Sequence, residues 1–368
     1  MNRLNRLVII FYTLFLFSFV LFSYLFLDPN LFYFKKIYTG FAFTNRALVT
    51  YLYIFLVLTS FLFYLLFLKK KFNLKLLVGI TCTILFFSYS AMLSQDIFNY
   101  LTTAKVIFKY HENPYLVMPI ELINDSNLLF THAANKLALY GPFWIILSAI
   151  PYLTSLGNFI LSFFEFKILI IFFYLGTIWL INKISKSDYS PLLFALNPLV
   201  VIEILVGNHN DIVMMFFALF SFFLLIRKKI LFASLFLILS ILIKYATIFL
   251  LPVFIFTVFK IIKKQKIDWD GVFFYCSFSM ILIFLLSAFR EEIYPWYAVW
   301  FLTFSSLIPQ KKMLLLVTLA FSFGLLLRYV PFMLIGSHFG ITPMIKTFVT
   351  FVPVILAIIY GYFKKIYR

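Results

Sequence analysis

The sequence predicts an all-α polytopic membrane protein of about twelve transmembrane helices, by the length and charge rules for spanning segments. Three observations carry this. Mean hydropathy is +1.05, and only 12% of the 368 residues are charged, a composition outside the range of soluble globular domains. Apolar runs of roughly 18 residues or more recur from end to end, each long enough to cross about 30 Å of hydrocarbon as a helix. Lys and Arg gather in short clusters between those runs, as cytoplasmic loops do. The net charge of +18 therefore reads as membrane orientation, and no nucleic-acid partner is expected.

The first run, Leu7–Leu27, follows Arg3 and Arg6 and resembles a signal peptide. It is longer than a usual apolar core of that kind and lacks a small-residue cleavage site, so it reads as a retained helix. Ala47–Leu68 returns to the basic cluster at Lys69–Lys71 and Lys75, and Leu76–Leu93 leaves again. Next come Ile160–Ile181, ending near Lys183 and Lys186, then Pro191–Val206 with Ile212–Ile226, ending at Arg227–Lys229. Ile230–Ile243 pairs with Tyr245–Phe259, Val272–Phe289 with Trp296–Ile308, and Leu314–Ile335 with Ile345–Phe363. Lys35, Lys36 and Arg46 fall on the outer side and depart from the rule.

Between Leu93 and Lys183 the chain needs an odd number of crossings. Pro142–Leu153 is short and contains Pro151, so it reads as a surface helix. Residues 94–157 then form one external segment with two helices at the membrane surface, Ile97–Tyr110 and Pro142–Leu153. The domain plan is a two-helix appendage over 1–75, the external segment 94–157 and a helical bundle over 158–368. Cys82 and Cys276 lie inside apolar runs and support neither a disulfide nor a zinc framework.

Only 13 residues are Asp or Glu, and a carboxylate beside hydrocarbon costs several kcal/mol unless it is paired or titrates. On this map the chief acids share the outer side. Asp96 begins the first surface helix, where Asn99 and Tyr100 share its face at i+3 and i+4. An acid in a first turn also complements the helix dipole, so a purely structural role stands beside the catalytic one. Glu112-Asn113-Pro114-Tyr115 reads as a turn. In Asn208-His209-Asn210-Asp211, His209 and Asp211 converge only if the segment is a loop; helix capping by Asn210 or Asp211 is the plainer alternative. His-x-Asp supplies too few ligands to predict a metal. Lys244 and Arg290 are either snorkelling to headgroups or clamping a phosphate. Glu165 and Lys167 are expected to neutralise each other, and Glu291 and Glu292 to sit at the rim.

Taken together, Asp96-Ile97-Phe98-Asn99-Tyr100, Glu112-Asn113-Pro114-Tyr115, Tyr140-Gly141-Pro142-Phe143-Trp144, Asn197-Pro198-Leu199, Asn208-His209-Asn210-Asp211, Lys244-Tyr245 before Leu250-Leu251-Pro252, and Tyr294-Pro295-Trp296-Tyr297 resemble the GT-C superfamily of polytopic glycosyltransferases. The nearest types are polyprenyl-phosphate-mannose-dependent mannosyltransferases, bacterial α-1,6 and GPI. Three spans precede Asp96, where the simplest members have one. The resemblance implies transfer of a hexose, commonly mannose, from a polyprenyl-phosphate sugar to a glycan, lipid or protein acceptor on the outer face of the plasma membrane, with inversion. It implies Asp96 as general base. Asn99, Tyr100, Glu112, Asn113, Tyr115, His209, Asp211, Trp296 and Tyr297 would bind substrate, and Lys244 and Arg290 the phosphate. No cofactor is required, and metal dependence stays open. A lipid-linked solute transporter or flippase, and a lipid-linked saccharide ligase or polymerase, are the alternatives.

Overall fold

A computed structural model describes residues 3–31, 40–185, 187–290 and 292–364. Lys35, Lys36, Lys186 and Glu291, which mark topology or the rim in the sequence, lie outside them. The described residues form helices and no strand. The chain is a polytopic helical membrane protein, but the expected count of about twelve spans is not reached. Among the described residues, seven helices are long and apolar enough to cross a membrane, or eight if the bent pair Tyr189–Ala195 and Pro198–Val206 counts as one span. Leu74–Leu85, Asp211–Ile226 and Ile230–Ile241 are shorter apolar helices, and the run 296–308 contains only the helix Ala298–Ser305. An apolar run need not be one unbroken helix, and several of these are interrupted.

The chain divides into two compact units. The first comprises residues 1–45, 72–172 and 202–210. Here the helix Arg3–Ser23 lies against Leu74–Leu85, joined by a hydrogen bond of 2.8 Å between the Tyr12 hydroxyl and Thr81 Oγ1. The second helix stops at Leu85, well short of Leu93, where the backbone tightens to i→i−3 bonds from the Phe87 and Ser88 N–H groups to the Ile84 and Leu85 carbonyls at 3.2 and 3.0 Å. The turn that follows is fixed from three directions. Lys167 Nζ donates to the Ser88 carbonyl and hydroxyl at 2.6 and 2.9 Å. The Tyr89 N–H donates to Ser23 Oγ at 2.9 Å, and Asn208 Nδ2 to Ser90 Oγ at 3.1 Å. Lys167 is therefore committed to Ser88 rather than to Glu165, which stands two residues away on another face of the same helix.

After this turn come the helices Asp96–Phe108 and Pro142–Thr154, packed on each other through Tyr100 and Trp144, with ring centroids 4.9 Å apart. The second is only 13 residues long. The loop between them is pinned by Asp125, which accepts from Lys105 Nζ, the Tyr110 hydroxyl and the Asn127 N–H at 2.7, 2.7 and 2.9 Å.

The second unit comprises residues 46–71, 173–201 and 211–368. Its interhelical contacts use hydroxyls that reach neighbouring backbone carbonyls, as expected where no water is at hand. Tyr53 bonds to Leu326, Tyr64 to Leu193, Ser221 to Ala233 and Ser240 to Met214, all between 2.7 and 2.9 Å. The expected break at Pro198 is present, with a bend of 47°. Asn197 caps the new helix by accepting the Leu199 N–H at 3.0 Å. The helices Lys312–Leu327 and Thr342–Phe363 approach so closely at Gly324 that a Cβ there would sit 2.5 Å from the Thr350 carbonyl oxygen and 2.8 Å from that of Val349.

Backbone atoms cannot swing aside as a side-chain tip can. Gly324→Ala should therefore force the two helices apart and destabilise the protein by about 1–3 kcal/mol. Thermal unfolding in detergent measures this; an unchanged midpoint contradicts the packing described.

Candidate active site

The first unit brings two sequence-distant carboxylates to one buried histidine. His209 Nδ1 lies 3.3 Å from Asp96 Oδ2, and its Nε2 lies 3.2 Å from Glu203 Oε2. The His209 and Glu203 side chains have no exposed surface, whereas the Asp96 side chain retains 23%. The triplet therefore has one accessible acid and one sealed acid.

Local sequence explains how the histidine gets there. Val201–Val206 forms a turn of π-helix, a local widening often found at functional sites. The Gly207 N–H closes it by bonding to the Ile202 carbonyl at 2.8 Å. A Cβ at Gly207 would sit 2.8 Å from the Glu203 carbonyl oxygen and 3.0 Å from the His209 ring, so no larger residue fits. Asn208 then takes a left-handed conformation with φ +58°, which Asn tolerates better than most residues. The chain thus turns back, and His209 falls over Glu203. Asp96 arrives as the first residue of its helix, with its N–H directed to the Ser94 hydroxyl at 3.4 Å.

Charge fixes the state of the imidazole. Burial alone would push His209 down from its ordinary 6.5, but hydrogen bonds to Asp96 and Glu203, with the charges of both acids, outweigh burial and lift it to about 9. His209 is therefore an imidazolium at neutral pH. It then carries a proton on each nitrogen, one toward each carboxylate.

The other candidates fall as follows. The Tyr100 hydroxyl accepts the Asn210 N–H at 3.2 Å, and its ring meets Tyr140 and Trp144 edge-on at 4.8 and 4.9 Å. Asn99 lines a small recess with Thr102, Thr103, Thr131, Lys136 and Tyr140. Asn113 forms the expected turn by accepting the Tyr115 N–H at 3.0 Å, and the Tyr115 hydroxyl donates to the Tyr140 carbonyl at 2.7 Å. Glu112 is exposed in the segment that follows the helix Asp96–Phe108.

In the second unit, Asp211, Lys244 and Tyr297 form a cluster of their own, joined by Trp300. Lys244 Nζ bonds to both Asp211 oxygens at 3.0 Å, and Trp300 Nε1 donates to Oδ1 at 2.5 Å. The Lys244 ammonium also stands 4.7 Å from the Tyr297 ring centroid. Tyr297 stacks on Trp300 at 4.2 Å, and Trp296 stacks on Tyr294 at 4.6 Å. Lys244 is thus a cation already matched by a buried carboxylate. Arg290 is exposed at the last position of the helix Trp269–Arg290.

Glu203 is the residue that reasoning from sequence left without a role. Its signal was present, since it is the one charged residue in the apolar run 191–206, and an acid placed there needs a named partner.

Residues 49–260 match the MptA_B family, described as alpha-(1->6)-mannopyranosyltransferase, N-terminal domain. The chain belongs to this mannosyltransferase family. The match includes Asp96, Glu203, His209, Asp211 and Lys244, and ends before Arg290, Trp296 and Tyr297. No curated protein and no solved structure matches the chain. Family membership makes this a glycosyltransferase of GT-C type, with mannosyl transfer as its activity.

Because the folded value for His209 is raised, its contribution to stability is complete below 6.5 and is lost as pH rises through about 9. The wild type should therefore lose thermal stability relative to His209→Gln between pH 6.5 and 10. Parallel pH profiles for the two proteins contradict the imidazolium assignment.

Proposed function

We propose that the chain transfers mannose from a polyprenyl-phosphate sugar to a glycan or lipid acceptor on the extracytoplasmic face, with inversion, and that Asp96 is the general base. The observation that carries this reading is the triplet of Asp96, His209 and Glu203. Asp96 has the exposure a base needs to meet a substrate hydroxyl. An imidazolium between two carboxylates leaves the triplet with one net negative charge. When Asp96 accepts a proton, the buried His209–Glu203 pair is left neutral as a unit, so proton uptake strands no charge in a medium of low dielectric.

The step balances as follows. The acceptor oxygen forms a bond to the anomeric carbon as its proton passes to the Asp96 carboxylate. The bond from that carbon to the phosphate oxygen breaks, and polyprenyl phosphate leaves with the electron pair. Approach from the face opposite the leaving group gives inversion. In this reading Asn99 and Tyr100 orient hydroxyls beside Asp96, while the Trp296 and Tyr297 rings are taken up in stacking on Tyr294 and Trp300. Lys244 keeps Asp211 and the aromatic cluster in register, and Arg290 remains a candidate phosphate ligand. The outward orientation rests on the basic clusters of the sequence.

A bent span carrying a buried acid is also a feature of transporters. Release of polyprenyl phosphate separates the readings, because a flippase returns its substrate chemically intact. Purified protein supplied with polyprenyl-phosphate mannose and an acceptor should release polyprenyl phosphate. Asp96→Asn should lower turnover by about 10²–10⁴-fold, the usual size of a general-base contribution. Glu203→Gln should lower it less, because it acts through His209. Wild-type turnover in Asp96→Asn excludes Asp96 as the base.

A further inference from the structure

Two cations stand inside apolar spans of the second unit and share one acid. Arg328 belongs to the candidate span Lys312–Ile335 and Lys346 to Thr342–Phe363. Each retains 8% of its surface. Arg328 Nη2 and Lys346 Nζ both bond to the same oxygen, Glu292 Oε1, at 3.0 and 2.8 Å. Arg328 Nη1 reaches Thr350 Oγ1 at 3.3 Å, while its buried Nε has no hydrogen-bond partner among the described residues.

Among the described residues the charges do not cancel. Among the described residues, Glu292 is the acid within ion-pair distance of both cations, so one positive charge is left over. A third cation of the same unit packs against the end of the span that carries Arg328. Arg46 donates to the Met333 carbonyl at 3.4 Å, with its guanidinium beside Gly336. A surplus cation in an apolar setting is costly unless an anion meets it. Lys244, by contrast, is fully matched by Asp211.

Depth and accessibility select the kind of anion. Lys346 lies four residues into its helix and Arg328 seven residues before the end of its span, or roughly 6 and 10 Å at 1.5 Å per residue. Side chains of this length reach the depth of lipid phosphates from there. The Glu292 side chain is 36% exposed and follows the end of the helix Trp269–Arg290, so it can yield its place. The guanidinium fork and the ammonium would then face one phosphate group.

We propose that Arg328 and Lys346 form a binding site for a lipid-borne phosphate, with Glu292 as the internal carboxylate that the phosphate displaces. In identifying that phosphate with the one on an isoprenoid carrier, the inference rests on the transferase reading above; the site itself does not.

The test is equilibrium binding of farnesyl phosphate to the full-length protein in phosphatidylcholine nanodiscs. Farnesol, inorganic phosphate and added phosphatidylglycerol serve as competitors. Lys346→Gln and Arg328→Lys should each weaken farnesyl phosphate binding at least tenfold. Glu292→Gln should strengthen it severalfold, a sign opposite to that of a purely structural ion cluster. Farnesol should not compete. Competition by phosphatidylglycerol supports a general lipid-phosphate site; its failure to compete supports one for isoprenoid monophosphates.

Unchanged affinity in folded Lys346→Gln and Arg328→Lys overturns the proposal. So does weakening by Glu292→Gln equal to that of Lys346→Gln, or equal affinity for inorganic phosphate. Mannosyl transfer is scored separately. Transfer with unaltered binding in the variants defeats the site alone; altered binding with no transfer by the wild type defeats the transferase reading alone.

Discussion

One buried imidazolium holds the first unit's polar chemistry together. Glu203 has no exposed surface, and a carboxylate buried in this way is costly without a cation beside it. His209 supplies that cation and spends its second N–H on Asp96, the acid that keeps some exposure. Breaking a buried pair by removing one partner is typically far more costly than never having built it. The triplet is therefore a fixed charge arrangement around which the backbone has to fit.

The backbone does fit, through a series of interruptions that a plain membrane helix would not contain. Asn197 and Pro198 start a new helix, the π-turn over Val201–Val206 widens it, Gly207 clears room for the histidine ring, and Asn208 reverses the chain. Asn208 also reaches Ser90 in the turn before Asp96, and Lys167 holds Ser88 in that same turn. A lysine buried in an apolar helix is costly, and here it fixes the segment that delivers the exposed acid. The Asp211–Lys244–Trp300 cluster solves a similar problem in the second unit, with cation and acid matched one to one.

Much of this was legible in the sequence because hydrophobicity and charge act through bulk rules. The helical membrane class, the break at Pro198, the turn at Asn113, and the prominence of Asp96 and of the 208–211 segment all follow from residue type and spacing. The number of spans did not. An apolar run does not show where its helix will stop, as this one does at Leu85, well before the run ends at Leu93. Pairing was also hidden. Glu203 and His209 are close in sequence, but no local rule brings Asp96 to them. Nor does spacing say that Lys244 is neutralised by Asp211, or that Arg328 and Lys346 meet at Glu292.

The most direct measurement is an experimental structure in lipid with a non-transferable polyprenyl-phosphate mannose analogue and an acceptor bound together. The expected result is an acceptor hydroxyl within about 3 Å of the Asp96 carboxylate, the reach of a general base, with His209 still between Asp96 and Glu203. An acceptor hydroxyl held by a different carboxylate, with Asp96 turned away from both substrates, contradicts the account.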